Sequence, residues 1–137
     1  MDIKQLDSQV SISADITCAD LQQLAHSGVQ VVVCNRLEGE VDDQASFAEL
    51  SRAAAGCGIE FVAIPFARGQ MQAVHCKEFA KILDSGKKVH AFCRTGNRAC
   101  NLWAAAKCTV GEDGKTLMEK ARGAGFDVSG TLVVFGR

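Results

Sequence analysis

The chain of 137 residues is 47% hydrophobic and 23% charged, with a formal net charge of −1. At that length folding buries roughly two thirds of the unfolded surface, so a core needs no disulfide or metal staple and one domain over 1–137 is expected. The near-neutral balance excludes a bulk attraction for nucleic acid or an anionic membrane. No apolar run reaches spanning length, and the opening MDIKQLDSQV lacks the basic-then-apolar pattern of an export signal.

Along the chain, QVSIS (9–13) alternates and predicts an edge strand. TCADLQQLAHSG predicts a helix opened by Thr17 and Asp20 and closed at Gly28. VQVVVC (29–34) is a continuous apolar run, as expected of a strand buried on both faces. SFAELSRAAAG repeats the helix grammar, with Ser46 and Glu49 at its start and Gly56 at its end. IEFVAI follows as a strand, stopped by Pro65. A helix over Met71 to Leu83 is expected to bury Val74, Phe79, Ile82 and Leu83. KVHAF (88–92) is the next buried strand, and a helix from Asn97 to Lys107 is anchored to the sheet by Trp103. A further helix over Lys115 to Ala121 precedes a glycine-spaced C-terminus ending TLVVFGR. Strands alternating with helices make an α/β protein, its mostly parallel sheet flanked by helices. Right-handed crossovers bring three strand-to-helix loops to one edge: NRLEGEVDDQ from Asn35, PFARGQ from Pro65 and CRTGNR from Cys93.

Seven cysteines stand at 18, 34, 57, 76, 93, 100 and 108, without a C-x-x-C pair or zinc-finger spacing. With no export signal they read as reduced thiols of a cytoplasmic protein, and all but Cys93 read as small core residues. His75 and Cys76 lack further ligands at useful spacing, so no metal and no cofactor is expected.

Cys93 differs by its setting. It precedes a helix N-terminus, whose free N–H groups carry partial positive charge. Arg94 and Arg98 add two full charges, and Gly96 lets successive amides curl into an anion-binding nest. A thiol is a weak nucleophile until ionised, and each of these features favours the thiolate and an anion above it. Cys93 and Arg98 are therefore the expected catalytic pair. Arg94, Thr95, Gly96 and Asn97 are expected to bind the substrate's anionic group.

The loop resembles the C-R-S-G-x-R loop of rhodanese-type sulfurtransferases. The wider chain from about residue 9 to 127, including VVVCNRLEGE and CRTGNRACNLWAAA, more closely resembles the phosphatase-like domain of beta-lactamase-hydrolase-like proteins. That resemblance implies a protein-tyrosine-phosphatase-like (cysteine phosphatase) architecture, similar to the dual-specificity phosphatases. Some members of the family are fused to metallo-β-lactamase-like sulfur dioxygenase or flavin-dependent sulfide-oxidising domains. It thus implies two chemistries, phosphoester hydrolysis and sulfane-sulfur transfer.

Three features weigh toward sulfur transfer. Only four residues separate Cys93 from Arg98, where tyrosine phosphatases have five. PFARGQMQ offers no carboxylic acid to protonate a leaving oxygen, and Ala99 stands where phosphatases commonly carry a hydroxyl. A thiolate or sulfite leaving group needs less acid help. The expected reaction therefore moves sulfane sulfur from thiosulfate or a glutathione persulfide, through a Cys93 persulfide, to a thiol acceptor. A sulfide-oxidising or persulfide dioxygenase protein is the implied partner. The alternatives are a phosphomonoesterase working through a phosphocysteine and a non-catalytic domain holding an anion or acidic peptide.

The remaining polar residues carry weaker expectations. Asn35 and Arg36 leave the second strand at the functional edge. Either they bind the anionic end of a substrate, or Asn35 caps a turn and Arg36 pairs with Glu38 or Glu40. Glu38, Glu40, Asp42 and Asp43 are substitutes for the missing acid or, as they read better, a solvated loop face. Arg68 adds positive charge or, as it reads better, is a solvated arginine. His90 reads as a satisfied core histidine, Cys100 as core, and Asn97 as a support for the loop or a helix cap.

Overall fold

The computed structural model describes residues 1–136. Its elements, in chain order, are β1 (Lys4–Gln5), β2 (Val10–Ser13), α1 (Asp20–His26), β3 (Val31–Cys34), α2 (Phe47–Gly56), β4 (Glu60–Ala63), α3 (Ala73–Asp84), β5 (Val89–Phe92), α4 (Asn97–Thr109), α5 (Gly114–Gly123) and α6 (Ser129–Phe135). The sheet order is β1-β2-β5-β3-β4, parallel throughout except for β1 against β2. The predicted α/β architecture is present, with β5 at the middle of the sheet. The C-terminal ends of the four parallel strands share one edge, so the loops that leave them meet there.

Alternation along the strands splits the core between two faces. Val31, Val33, Val89 and Ala91 pack beneath α3 and α4, while Val32, Cys34 and Phe92 meet Leu21, Leu24, Leu50 and Ala54 of α1 and α2. Helix α4 is buried at Ala99, Cys100 and Leu102 to Ala106, because α3, α5 and α6 close around it on the sheet. Its small residues let those neighbours approach. Trp103 anchors it as expected, fully buried, with Nε1 donating to Asp7 Oδ2 at 2.9 Å.

Several sequence expectations change. QVSIS is not an edge strand: β1 covers it, and all four residues of β2 are buried. A two-residue antiparallel strand leaves no periodic trace that sequence reading can use. Thr17 does not cap α1, which begins at Asp20; its N–H and hydroxyl instead donate to Asp20 Oδ2 in the preceding turn. The Ser46–Glu49 capping box opens α2 as expected. Val74 is 53% exposed, and Cys76 joins Phe79 on the buried side of α3. The C-terminal stretch forms helix α6, packed on α4, where only a glycine-spaced tail was anticipated.

His90 is the satisfied core histidine the strand pattern suggested. It sits on the α1/α2 face of β5, with Ser11 Oγ 2.8 Å from Nδ1 and Ser13 Oγ 2.8 Å from Nε2. Burial pushes its pKa down to about 4. A histidine held neutral when folded contributes stability that is complete above the unfolded value of about 6.5 and is lost as pH falls toward the folded value. The urea midpoint should therefore drop between about pH 7 and about pH 4.5, with His90 responsible for roughly 3 kcal/mol at most. His90→Gln should flatten that drop. An equal drop in the variant would assign the acid sensitivity elsewhere.

Candidate active site

Cys93 lies immediately after β5, and Gly96 caps α4, so the C-R-T-G-N-R loop joins the central strand to the most buried helix. Gly96 has φ +94°. A Cβ there would come within 2.9 Å of Phe126 Cζ and 3.4 Å of the Ser13 carbonyl oxygen, so both backbone angle and space demand glycine. This turn aims the Gly96 N–H at Cys93 Sγ, 3.1 Å away. The Asn97 N–H is taken by Thr95 Oγ1 at 3.2 Å, which tightens the loop. The loop is tied to the segment after β2 by the Asp15 N–H donating to the Arg94 carbonyl.

Arg98 completes the site. Its Nη1 donates to the Phe66 carbonyl at 3.0 Å. Nη1 and Nη2 also grip Glu40 Oε1 and Oε2, each at 2.7 Å, a bidentate pair. That hydrogen bond to Glu40 is the main reason the Arg98 pKa is raised, against the cost of burial. The same bond holds the Glu40 carboxyl below the ordinary glutamate range. Glu40 is therefore not part of a solvated loop face. It spans 58 residues of sequence to reach Arg98.

The three anticipated loops do converge. A cleft of about 680 Å³ is lined by Leu37 and Glu40 from the first, Ala67 and Arg68 from the second, and Arg94, Thr95, Asn97 and Arg98 from the third. Arg94, Thr95 and Arg68 are exposed there, while Cys93 is fully buried beneath the loop. Three cations face one carboxylate across the cleft, so an anion entering it meets net positive charge.

Arg36 does not join that cleft and does not pair with Glu38 or Glu40. It is 1% exposed, with Nε donating to Asp15 Oδ1 at 2.8 Å and Nη2 to the Ala45 carbonyl at 2.7 Å, flanked by the Phe47 and Phe92 rings. Arg36 thus fastens the loop after β3 to the loop after β2, and a substrate-binding role for it is set aside. Asn35 donates to the Ile64 carbonyl, tying β3 to β4 beside the edge. Asp15 was not picked out from the sequence, because its partners lie 21 residues away or on the backbone of another loop. Cys100 is buried, and burial is the first cause pushing its thiol up to about 12, as befits a core residue. Among the described residues no cluster of His, Cys, Asp and Glu has the makings of a metal site.

The model for the phosphatase-like domain of beta-lactamase hydrolase-like proteins matches residues 2–110. This chain belongs to that family. A candidate phosphatase from Neisseria meningitidis Z2491 is 27% identical, with a TM-score of 0.84 over 98% of this chain and 96% of that one. Another, from Shewanella putrefaciens CN-32, is 16% identical, with a TM-score of 0.74 over 98% of this chain and 93% of that one. A kinase-associated phosphatase with its catalytic-site cysteine changed to serine is 17% identical, with a TM-score of 0.70 over 85% and 75%. The two more distant structures speak to fold alone, and that fold is of the cysteine-phosphatase type. No curated protein matches the chain.

Glu40 occupies both terminal nitrogens of Arg98, so an anion drawn to that guanidinium would have to compete with it. Glu40→Gln keeps the side chain's size and removes the competing charge. Inorganic phosphate is then expected to bind about 10-fold tighter by calorimetry, since a unit charge a few ångströms away matters strongly at a partly buried site. Unchanged or weaker binding would mean that Glu40 only positions Arg98. Because the folded pKa of Glu40 is lowered, the ion pair's contribution is complete above the ordinary glutamate range and is lost as pH falls through the depressed value.

Proposed function

We propose that the protein is a thiol-dependent phosphomonoesterase, in which Cys93 attacks phosphorus and Arg98 binds the equatorial oxygens. The observation that carries this reading is the placement of Cys93 Sγ. It sits just past the central strand, accepts the Gly96 N–H and precedes Arg98 by five residues in the same loop-to-helix turn, in a chain of the phosphatase-like family. The thiolate displaces the leaving oxygen as its anion, which takes its proton from water, and an S–P bond forms as the P–O bond breaks. Water then cleaves the phosphocysteine to inorganic phosphate and returns the thiolate. Arg98, with the loop amides, meets the charge that develops on the phosphoryl oxygens, where fixed donors are most effective. Arg94 and Arg68 extend that positive field at the mouth.

Proton supply sets the substrate class. The loop after β4 carries no carboxylic acid, and Glu40 is held ionised by Arg98. Esters whose leaving group departs without strong acid help are therefore favoured, phenols above alkyl alcohols. The reading is tested by phosphate release from p-nitrophenyl phosphate and from an alkyl phosphate. Release from the aryl ester is the expected result, and none from either would overturn the proposal.

A second reading, sulfane-sulfur transfer from thiosulfate or a glutathione persulfide to a thiol, rests on the four-residue spacing between Cys93 and Arg98 and on the missing acid. The family description and the related structures lend support to phosphate chemistry and none to sulfur. A gain of one sulfur atom on Cys93 after exposure to either donor, reversed by cyanide, would revive it. With it would return the persulfide dioxygenase or sulfide-oxidising partner. A cytoplasmic setting is proposed on the seven free thiols alone.

A further inference from the structure

A second cavity, of about 460 Å³, adjoins the anion cleft and shares Arg68, Asn97 and Arg98 with it. Its other walls are of a different character. Phe66 and Met71 come from the segment between β4 and α3, and Val134 and Phe135 from α6. The α6 wall lies outside residues 2–110, the part of the chain that the family model matches. It is nonetheless built into the site. Thr131 Oγ1 donates to Asn101 Oδ1 at 2.6 Å, and Asn101 Nδ2 donates to the Asn97 carbonyl at 2.9 Å, so α6 is linked to the first residue of α4.

We infer that this cavity is the leaving-group subsite, and that it takes an apolar, aromatic alcohol moiety while the phosphoryl group occupies Arg98. The inference rests on the phosphomonoesterase reading and specifies its substrate class. Two independent observations converge on it. The four apolar side chains give an aromatic ring a surface to displace water from, continuous with the cation that fixes its phosphate. Neither carboxyl near the two cavities is poised to give up a proton, the Glu40 pKa being held low by Arg98 and that of Asp127 by the Ser129 N–H. That favours a leaving group that is stable as its anion, a phenol over an alkyl alcohol. The Asp127 carboxylate on the same wall disfavours a second phosphate at that end.

The test uses the full chain and two non-hydrolysable probes, naphthylmethylphosphonate and methylphosphonate, measured by calorimetry. The aryl probe is expected to bind at least about 10-fold tighter, in line with what one apolar pocket discriminates. Val134 is 70% exposed, so Val134→Asn leaves the core untouched and adds no charge. That variant should erase the gap while methylphosphonate binds as before, and Met71→Ala should narrow it. Equal affinities in the wild type, or a gap that survives Val134→Asn, would overturn the subsite. The underlying reading fails separately, by a lack of phosphate release from aryl phosphates whatever the phosphonates do.

Discussion

Cys93→Ser is expected to remove phosphate release, by roughly 10⁴-fold or more in kcat, while phosphate still binds. A serine hydroxyl needs a base to become a nucleophile. None is in place: His90 is engaged by Ser11 and Ser13, and Glu40 by Arg98. The substitution is conservative for structure, since Cys93 is fully buried and an oxygen can keep the Gly96 N–H contact. Kinetics and calorimetry on one preparation give both readouts. Lost turnover with retained binding separates an enzyme from a domain that only holds anions, for which the cysteine would be incidental. Unaltered turnover would remove Cys93 from the chemistry.

Arg98→Lys is expected to lower kcat/KM about 100- to 1,000-fold, the range for losing a donor aimed at transition-state charge. Charge is preserved, so the loss would come from geometry. The guanidinium spans two Glu40 oxygens and the Phe66 carbonyl at once, and a single ammonium cannot reach all three. The Phe66 carbonyl would lose its side-chain donor, so a modest fall in thermal stability should accompany the kinetic one. Arg94→Lys is the internal comparison. Arg94 is exposed at the mouth, and its replacement should cost far less. Equal effects at the two positions would deny Arg98 its special place.

The parts of this site that were legible in the sequence share a local cause. Apolar runs of strand length, the Ser46–Glu49 box and the glycine between Cys93 and Arg98 are patterns within a few residues of one another. The crossover rule turns them into three loops at one edge. What escaped was non-local or ambiguous in period. Glu40 reaching Arg98 and Arg36 reaching Asp15 are ion pairs between distant loops, and nothing in NRLEGE distinguishes the glutamate that folds inward from the one that does not. TLVVF is rich in β-branched residues and only seven residues of helix form there. Its state is set by packing on α4 rather than by propensity. The preference for sulfur over phosphate was likewise drawn from loop spacing and a missing acid. Those features bear on how a leaving group departs, and less directly on which atom is attacked.

The most direct test of the central claim is a rapid acid quench of the protein turning over p-nitrophenyl phosphate, followed by peptide mass measurement across residues 93–98. The account requires a phosphoryl group on Cys93 that builds up within the first turnover, decays with the release of phosphate and is absent from Cys93→Ser. Phosphate released with no modified cysteine at any time, or a cysteine that gains sulfur from thiosulfate but never phosphorus from an aryl ester, would contradict it.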